Sequence, residues 1–130
     1  MKNKNIYIIG DVHGCYKTLL ALIKQLPKNA HICFVGDLIN KGENSSDVLD
    51  FVIENNYDCV LGNHEQMCIE ATIDTEMKDM HSYHGGAWLY ELPIHQQQTI
   101  VEQCRNLPII LEIQHNQKIY GFVHAVLFAA

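Results

Sequence analysis

Three segments of the chain share one local design. Ile6-Tyr7-Ile8-Ile9 runs into Gly10-Asp11, Ile32-Cys33-Phe34-Val35 into Gly36-Asp37, and Cys59-Val60-Leu61 into Gly62-Asn63, with the glycines 26 residues apart both times. A short apolar run that stops at a glycine suits a buried strand emerging at a sheet edge. Glycine there allows a sharp turn, or a close approach to a ligand, that a side chain would block. Three such strands side by side bring Asp11, His13, Asp37, Asn63 and His64 into one cleft, the outline of a metal site.

The segments between the runs fix the fold class. Leu19, Leu20, Ile23 and Leu26 follow helical spacing before Pro27-Lys28-Asn29, and Ser45-Ser46-Asp47 can cap a helix whose Val48, Leu49, Val52 and Ile53 face inward until Asn55-Asn56. The pattern is βαβαβ, which predicts an α/β fold with a parallel sheet and right-handed crossovers. An even period also occurs in solenoids, but the intervening segments share no sequence.

After Asn63 the pattern turns helical, with Met67, Cys68 and Ala71 on a modest inner face and a second helix expected over Gln96–Arg105. Gly85-Gly86 followed by Trp88 reads as a tight loop with an aromatic plug. Ile109–Ile113 and Lys118–Val123 read as a hairpin around His115-Asn116, with His124 at the mouth of its second strand. No linker, low-complexity tract or charge block divides residues 1–130, so one domain is expected.

Composition narrows the partners. With 48% hydrophobic and 18% charged residues the chain carries enough apolar surface to build a core. A formal net charge of −6 argues against broad nucleic-acid or anionic-membrane binding, both of which need Lys/Arg patches. The apolar run after Asn5 is too short for a signal-peptide core, and no stretch approaches a membrane span. The five cysteines are odd in number and lack C-x-x-C spacing. They read as reduced residues of a cytoplasmic protein, not as thiolate ligands.

The donor set supports specific chemistry. Asp11 and His13, two apart on an extended exit, point the same way. Asp37 can bridge two ions with its two oxygens, and Asn63 and His124 add an amide oxygen and an imidazole to the second ion. Mixed N/O ligands suit Mn²⁺, Fe or Zn²⁺. Two such ions about 3.5–4 Å apart hold a hydroxide between them and clamp an in-line displacement at phosphorus. His64, beside Asn63, is placed to protonate the departing alkoxide. Taken singly, a Gly-Asp after a strand is usually a turn and one histidine is usually an ordinary polar residue; three units in the same register favour metal binding. His31, His95 and His115 read as ordinary. His81 and His84 lie three apart in a polar, loop-like stretch and stay outside the main site, although His84 can line a substrate groove with Gly85-Gly86 and Trp88.

Gly10-Asp11-Val12-His13-Gly14, Gly36-Asp37-Leu38-Ile39-Asn40-Lys41-Gly42 and Gly62-Asn63-His64-Glu65 resemble the three signatures of the calcineurin-like metallophosphoesterases, in the phosphoprotein phosphatase branch. Gly62–Met67, Gly85-Gly86-Ala87-Trp88 and Asn106–Glu112 are similar to the bacterial and phage-lambda-type serine/threonine phosphatases. The resemblance implies a β-sheet core flanked by helices. It implies Asp11 and His13 on the first ion, Asp37 bridging, Asn63 and His124 on the second, and His64 as general acid. It also implies Mn²⁺ as the usual metal, with Fe or Zn²⁺ in some members.

Two departures bear on function. Asn40-Lys41 stand where the family pattern has Asp-Arg. A neutral amide stabilises an imidazolium less than a carboxylate does, and lysine lacks the bidentate fork for phosphoryl oxygens. Reduced turnover with an unchanged reaction is expected. The family pattern also continues past the position of His124, so further strands and ligands are expected to be missing. The exposed edge would then invite pairing with a second copy. The expected activity is phosphate-monoester hydrolysis, on phosphoserine or phosphothreonine in proteins or on small phosphate esters. The alternatives are symmetrical bis(5′-nucleosyl)-tetraphosphatase activity and a catalytically impaired metal- or phosphate-binding module.

Overall fold

In the computed structural model, which describes residues 5–125, three strands form a parallel sheet: β1 (Ile6–Ile9), β2 (His31–Phe34) and β3 (Asp58–Cys59), with β2 in the centre. The central strand buries Ile32, Cys33 and Phe34, as its continuous apolar run requires. Ile9, Phe34 and Cys59 share one row of the register. Those residues advance by 25, whereas Gly10, Gly36 and Gly62 advance by 26. Each loop therefore leaves its strand one residue later than its neighbour, which staggers the three exits.

Helix α1 (Tyr16–Lys24) follows β1, and α2 (Ser45–Glu54) follows β2. Leu19 of α1 and Val48, Leu49 and Val52 of α2 pack into the core with Phe34, Leu38 and Ile39. Tyr16, Phe51, Tyr57 and Phe34 form a run of ring contacts with centroids 5.7–6.0 Å apart. Truncating Phe34 to alanine would cost about 3–5 kcal/mol, because the dense surroundings cannot collapse fully into the space.

Helix α3 (Asn63–Glu70) starts at the exit of the third strand, and α4 (Thr75–His81) is capped by Asp74, whose carboxylate accepts the Met77 N–H at 2.9 Å. A kinked turn at Ser82–Gly86, with Gly85 at φ 95°, leads into the short α5 (Ala87–Tyr90), and α6 (Ile94–Arg105) packs Ile100, Val101 and Cys104 inward. Hairpin strands β4 (Leu111–His115) and β5 (Lys118–Phe122) form a second, antiparallel sheet. The architecture is α/β, as the sequence pattern predicts.

Several boundaries differ from the sequence-based expectation. The third strand covers Asp58–Cys59, not Cys59–Leu61, because the Leu61 N–H turns away to the Pro108 carbonyl at 2.7 Å. The hairpin turns at Asn116-Gln117, both at positive φ, one residue later than expected. Helix α6 begins at Ile94, directly after Pro93. Cys15 is exposed, whereas Cys33, Cys59, Cys68 and Cys104 are buried, and all are free thiols. Among the described residues no helix is long and apolar enough to cross a membrane. Residues 126–130 of the apolar tail lie outside the described residues.

Candidate metal centre

The loops that leave the strands are sewn together by backbone hydrogen bonds. The Val12 and His13 N–H groups both donate to the Asp37 carbonyl at 3.0 Å, and the Gly14 N–H donates to the Leu38 carbonyl at 2.8 Å. His13, Asp37, Asn40 and Lys41 all hold positive φ, between 47° and 75°. Non-glycine residues adopt this region at a cost that surrounding contacts must offset. Gly36 has φ 96°, and a Cβ there would meet the Gly62 N at 2.6 Å, so the second and third exits can approach only because both positions are glycine.

The clamp on this turn is Glu65, which is fully buried. Its Oε1 accepts the Asp37 N–H at 2.7 Å and the Gly62 N–H at 3.0 Å, and its Oε2 accepts the Leu38 and Ile39 N–H groups at 2.9 and 3.2 Å. Burial pushes the Glu65 carboxyl upward in pKa, and the N–H groups of the Asp37 turn and of Gly62 pull it back. Glu65 stands within the third Gly-Asn-His-Glu motif, whose spacing alone assigns it no task. The available signal was an acidic residue three positions after the glycine that opens a helix, reaching back to that glycine as in a capping box.

On this scaffold the donor atoms of Asp11, His13, Asp37, Asn63 and His124 converge. His13 Nε2 lies 3.6 Å from Asp11 Oδ2 and 3.8 Å from Asp37 Oδ2. His124 Nε2 lies 3.2 Å from that same Asp37 oxygen and 2.8 Å from Asn63 Oδ1. The other Asp37 oxygen, Oδ1, accepts the His64 N–H at 3.0 Å. The two donor sets therefore meet at one oxygen of Asp37, whereas the sequence reading had each oxygen serving one ion. Helix α3 takes up the second oxygen through its first turn.

The chemistry of this donor set fits a cation. His13 Nδ1 sits 3.0 Å from the Ile39 carbonyl, and His124 Nδ1 sits 2.6 Å from the Val35 carbonyl. A carbonyl can only accept, so both Nδ1 atoms donate, and a ring protonated at Nδ1 alone turns its Nε2 lone pair toward Asp37. The Asn63 oxygen faces that lone pair and also stands 3.2 and 3.1 Å from the two Asp37 oxygens. Acceptors facing acceptors repel unless a cation lies among them, His124 Nε2 carries a proton, or the Asn63 amide turns over to donate. Donor atoms of Asp11, Asp37 and His124, and of His13, Asp37 and His64, lie within 4.8 Å of one another in each group.

His64 is buried at the start of α3, with its ring edge-on to His13 at 4.7 Å. Burial lowers its pKa; nearby Asp37 opposes this, and His13, Lys41 and His84 add to it. The Asn40 amide nitrogen is 3.0 Å from His64 Nδ1. Asn40 Oδ1 lies 2.9 Å from Trp88 Nε1 and 3.3 Å from His81 Nε2, and His81 Nδ1 is 2.7 Å from the Tyr90 hydroxyl. His81 thus departs from the sequence expectation of a polar, loop-like residue: it ends α4, is fully buried and contacts Asn40. Trp88 packs against the core, in keeping with the expected aromatic plug, and its indole N–H also donates to Asn40 Oδ1.

The α/β scaffold gathers N/O donors suited to a divalent cation at its parallel strand ends. The calcineurin-like phosphoesterase family model matches residues 4–127, and the chain belongs to that family. Serine/threonine-protein phosphatase 2 of Escherichia coli (strain K12) is 34% identical over 128 residues, covering 94% of this chain and 58% of that protein. The symmetrical bis(5′-nucleosyl)-tetraphosphatase of Enterobacter sp. (strain 638) is 47% identical over 64 residues, 45% of this chain and 23% of that protein. A solved metallophosphoesterase from Sphaerobacter thermophilus shares the fold with a TM-score of 0.61 at 23% identity, over 85% of this chain and 43% of that one. The chain spans less than two thirds of the length of each of these relatives.

Proposed function

We propose that the chain hydrolyses phosphate monoesters with two divalent ions, acting on phosphoserine and phosphothreonine in proteins. The observation that carries this reading is the meeting of two donor sets at Asp37 Oδ2, with His64 beside them. Asp11, His13 and Asp37 would hold one ion; Asp37, Asn63 and His124 would hold the other. The N/O donors suit Mn²⁺, with Fe or Zn²⁺ as alternatives. Such ions, when bound, supply a nucleophile near neutral pH and neutralise phosphoryl charge.

The remaining tasks fall to the chain's own side chains. Lys41 stands close enough to His64 to oppose its protonation and supplies positive charge for phosphoryl oxygens. Asn40 orients His64, which offers a ring N–H to the departing oxygen. Similarity to a bacterial serine/threonine phosphatase across most of the chain supports the protein substrate. The higher identity to a symmetrical tetraphosphatase over 64 residues supports a second reading, cleavage of a dinucleoside tetraphosphate. Free cysteines support a reducing, cytoplasmic setting, and the net charge of −6 supports the absence of nucleic-acid and membrane partners. Exposed Ile119 and Tyr120 on β5 support pairing of that edge with a second copy, which a compact monomer in sedimentation would refute.

The test incubates the full chain and Mn²⁺ with a phosphopeptide and, separately, with diadenosine tetraphosphate. Phosphate release from the peptide, abolished in Asp37→Ala, is the expected result. Release of ADP with no peptide hydrolysis would favour the second reading. No turnover of either at any Mn²⁺ concentration would leave a metal- or phosphate-binding module.

A further inference from the structure

Trp88 of α5, just after Gly85-Gly86, and buried His81 supply none of the donor atoms gathered around Asp37, yet both converge on Asn40. An indole N–H can only donate, so the Asn40 atom 2.9 Å from Trp88 Nε1 has to be the amide oxygen. The same oxygen takes His81 Nε2–H, which leaves His81 Nδ1 free to accept the Tyr90 hydroxyl proton. With its oxygen committed, Asn40 presents Nδ2–H to His64 Nδ1 at 3.0 Å. A nitrogen that accepts this bond carries no proton, so the neutral ring keeps its proton on Nε2.

We infer that Trp88 and His81 are positioning residues that fix the polarity of the Asn40 amide and thereby hold His64 as the Nε2–H tautomer. This rests on the reading of His64 as the group that meets the leaving oxygen. Every donor in the relay points the same way, from Tyr90 through His81 and Asn40 to His64. Trp88 anchors that direction, since it alone cannot reverse. The two glycines bring the loop close enough: a Cβ on Gly86 would overlap the His81 ring, and Gly85 accepts the Lys41 N–H through its carbonyl at 3.2 Å. Burial holds His81 neutral, with its pKa lowered to about 4, so it can donate through one nitrogen and accept through the other.

Nitrogen-15 NMR of the histidine rings in the full, metal-free chain at pH 8 reads the tautomer directly, with His64 assigned by comparison with His64→Gln. The expected spectrum shows an acceptor-type Nδ1 and a protonated Nε2. Trp88→Phe should release the amide, and the two His64 resonances should move toward one another as both tautomers populate. Asn40→Asp should reverse the pattern by placing a carboxylate against Nδ1, and it keeps the inference falsifiable if Trp88→Phe does not fold. A protonated Nδ1 in the wild-type chain would overturn the inference. So would a folded Trp88→Phe with unchanged His64 shifts. Peptide hydrolysis tests the activity separately: the expected tautomer without turnover overturns the proposed activity alone, and turnover with a protonated Nδ1 overturns this inference alone.

Discussion

The Glu65 carboxylate accepts the backbone N–H of Asp37 at 2.7 Å, so the residue at the meeting point of both donor sets is held from behind by a buried anion. Glu65 spends its two oxygens on four N–H groups across the second and third strand exits. Replacing it with glutamine would turn one oxygen into an NH₂ facing two of those N–H groups. Glu65→Gln should therefore lose about 2–5 kcal/mol of stability, since two buried donors lose their acceptor. Urea unfolding with and without Mn²⁺ measures this, together with an expected drop in metal affinity. A variant with wild-type stability and affinity would show that the clamp is dispensable.

Stability should fall in acid through His81. Burial lowers its pKa from 6.5 to about 4, with nearby His64 adding to the effect. The unfolded chain therefore binds this proton more readily than the folded one. The contribution is fully present above pH 6.5 and is lost as pH falls through the window from 6.5 to about 4. Its size is roughly 3 kcal/mol by linkage. His81→Gln should show a shallower loss between pH 7 and pH 4.5 in urea unfolding; parallel curves for the two proteins would contradict the assignment.

Asn40→Asp should raise turnover. A carboxylate can accept from Trp88 and His81 on one oxygen and from His64 Nδ1–H on the other, so His64 could carry a proton it is able to give away. We expect kcat on a phosphopeptide to rise about 10-fold or more with little change in KM, because a positioned general acid contributes to the transition state. Unchanged or lower kcat in a folded variant would mean that proton donation does not limit this chain.

The parts of the structure legible in the sequence were those set by local pattern. Apolar runs ending at Gly10 and Gly36 marked β1 and β2, and helical spacing marked α1 and α2. The convergence of Asp11, His13, Asp37, Asn63 and His124 could be read because each follows a strand end. Glu65, His81 and Trp88 were not legible in this way. Their partners lie 28, 41 and 48 residues away, and only tertiary packing brings them together. A histidine in a polar stretch looks solvated until the fold buries it. The extent of the third strand was misjudged for the same reason, since Leu61 leaves the sheet to bond Pro108 on a distant segment.

The central claim is that Asp37 Oδ2 serves two cations at once. Anomalous scattering from a crystal of the full chain grown with Mn²⁺ tests it most directly. The account predicts two peaks about 3.5–4 Å apart, one beside Asp11 and His13 and one beside Asn63 and His124, with Asp37 Oδ2 between them. No peak within coordination distance of Asp37, or a single ion bound elsewhere, would contradict it.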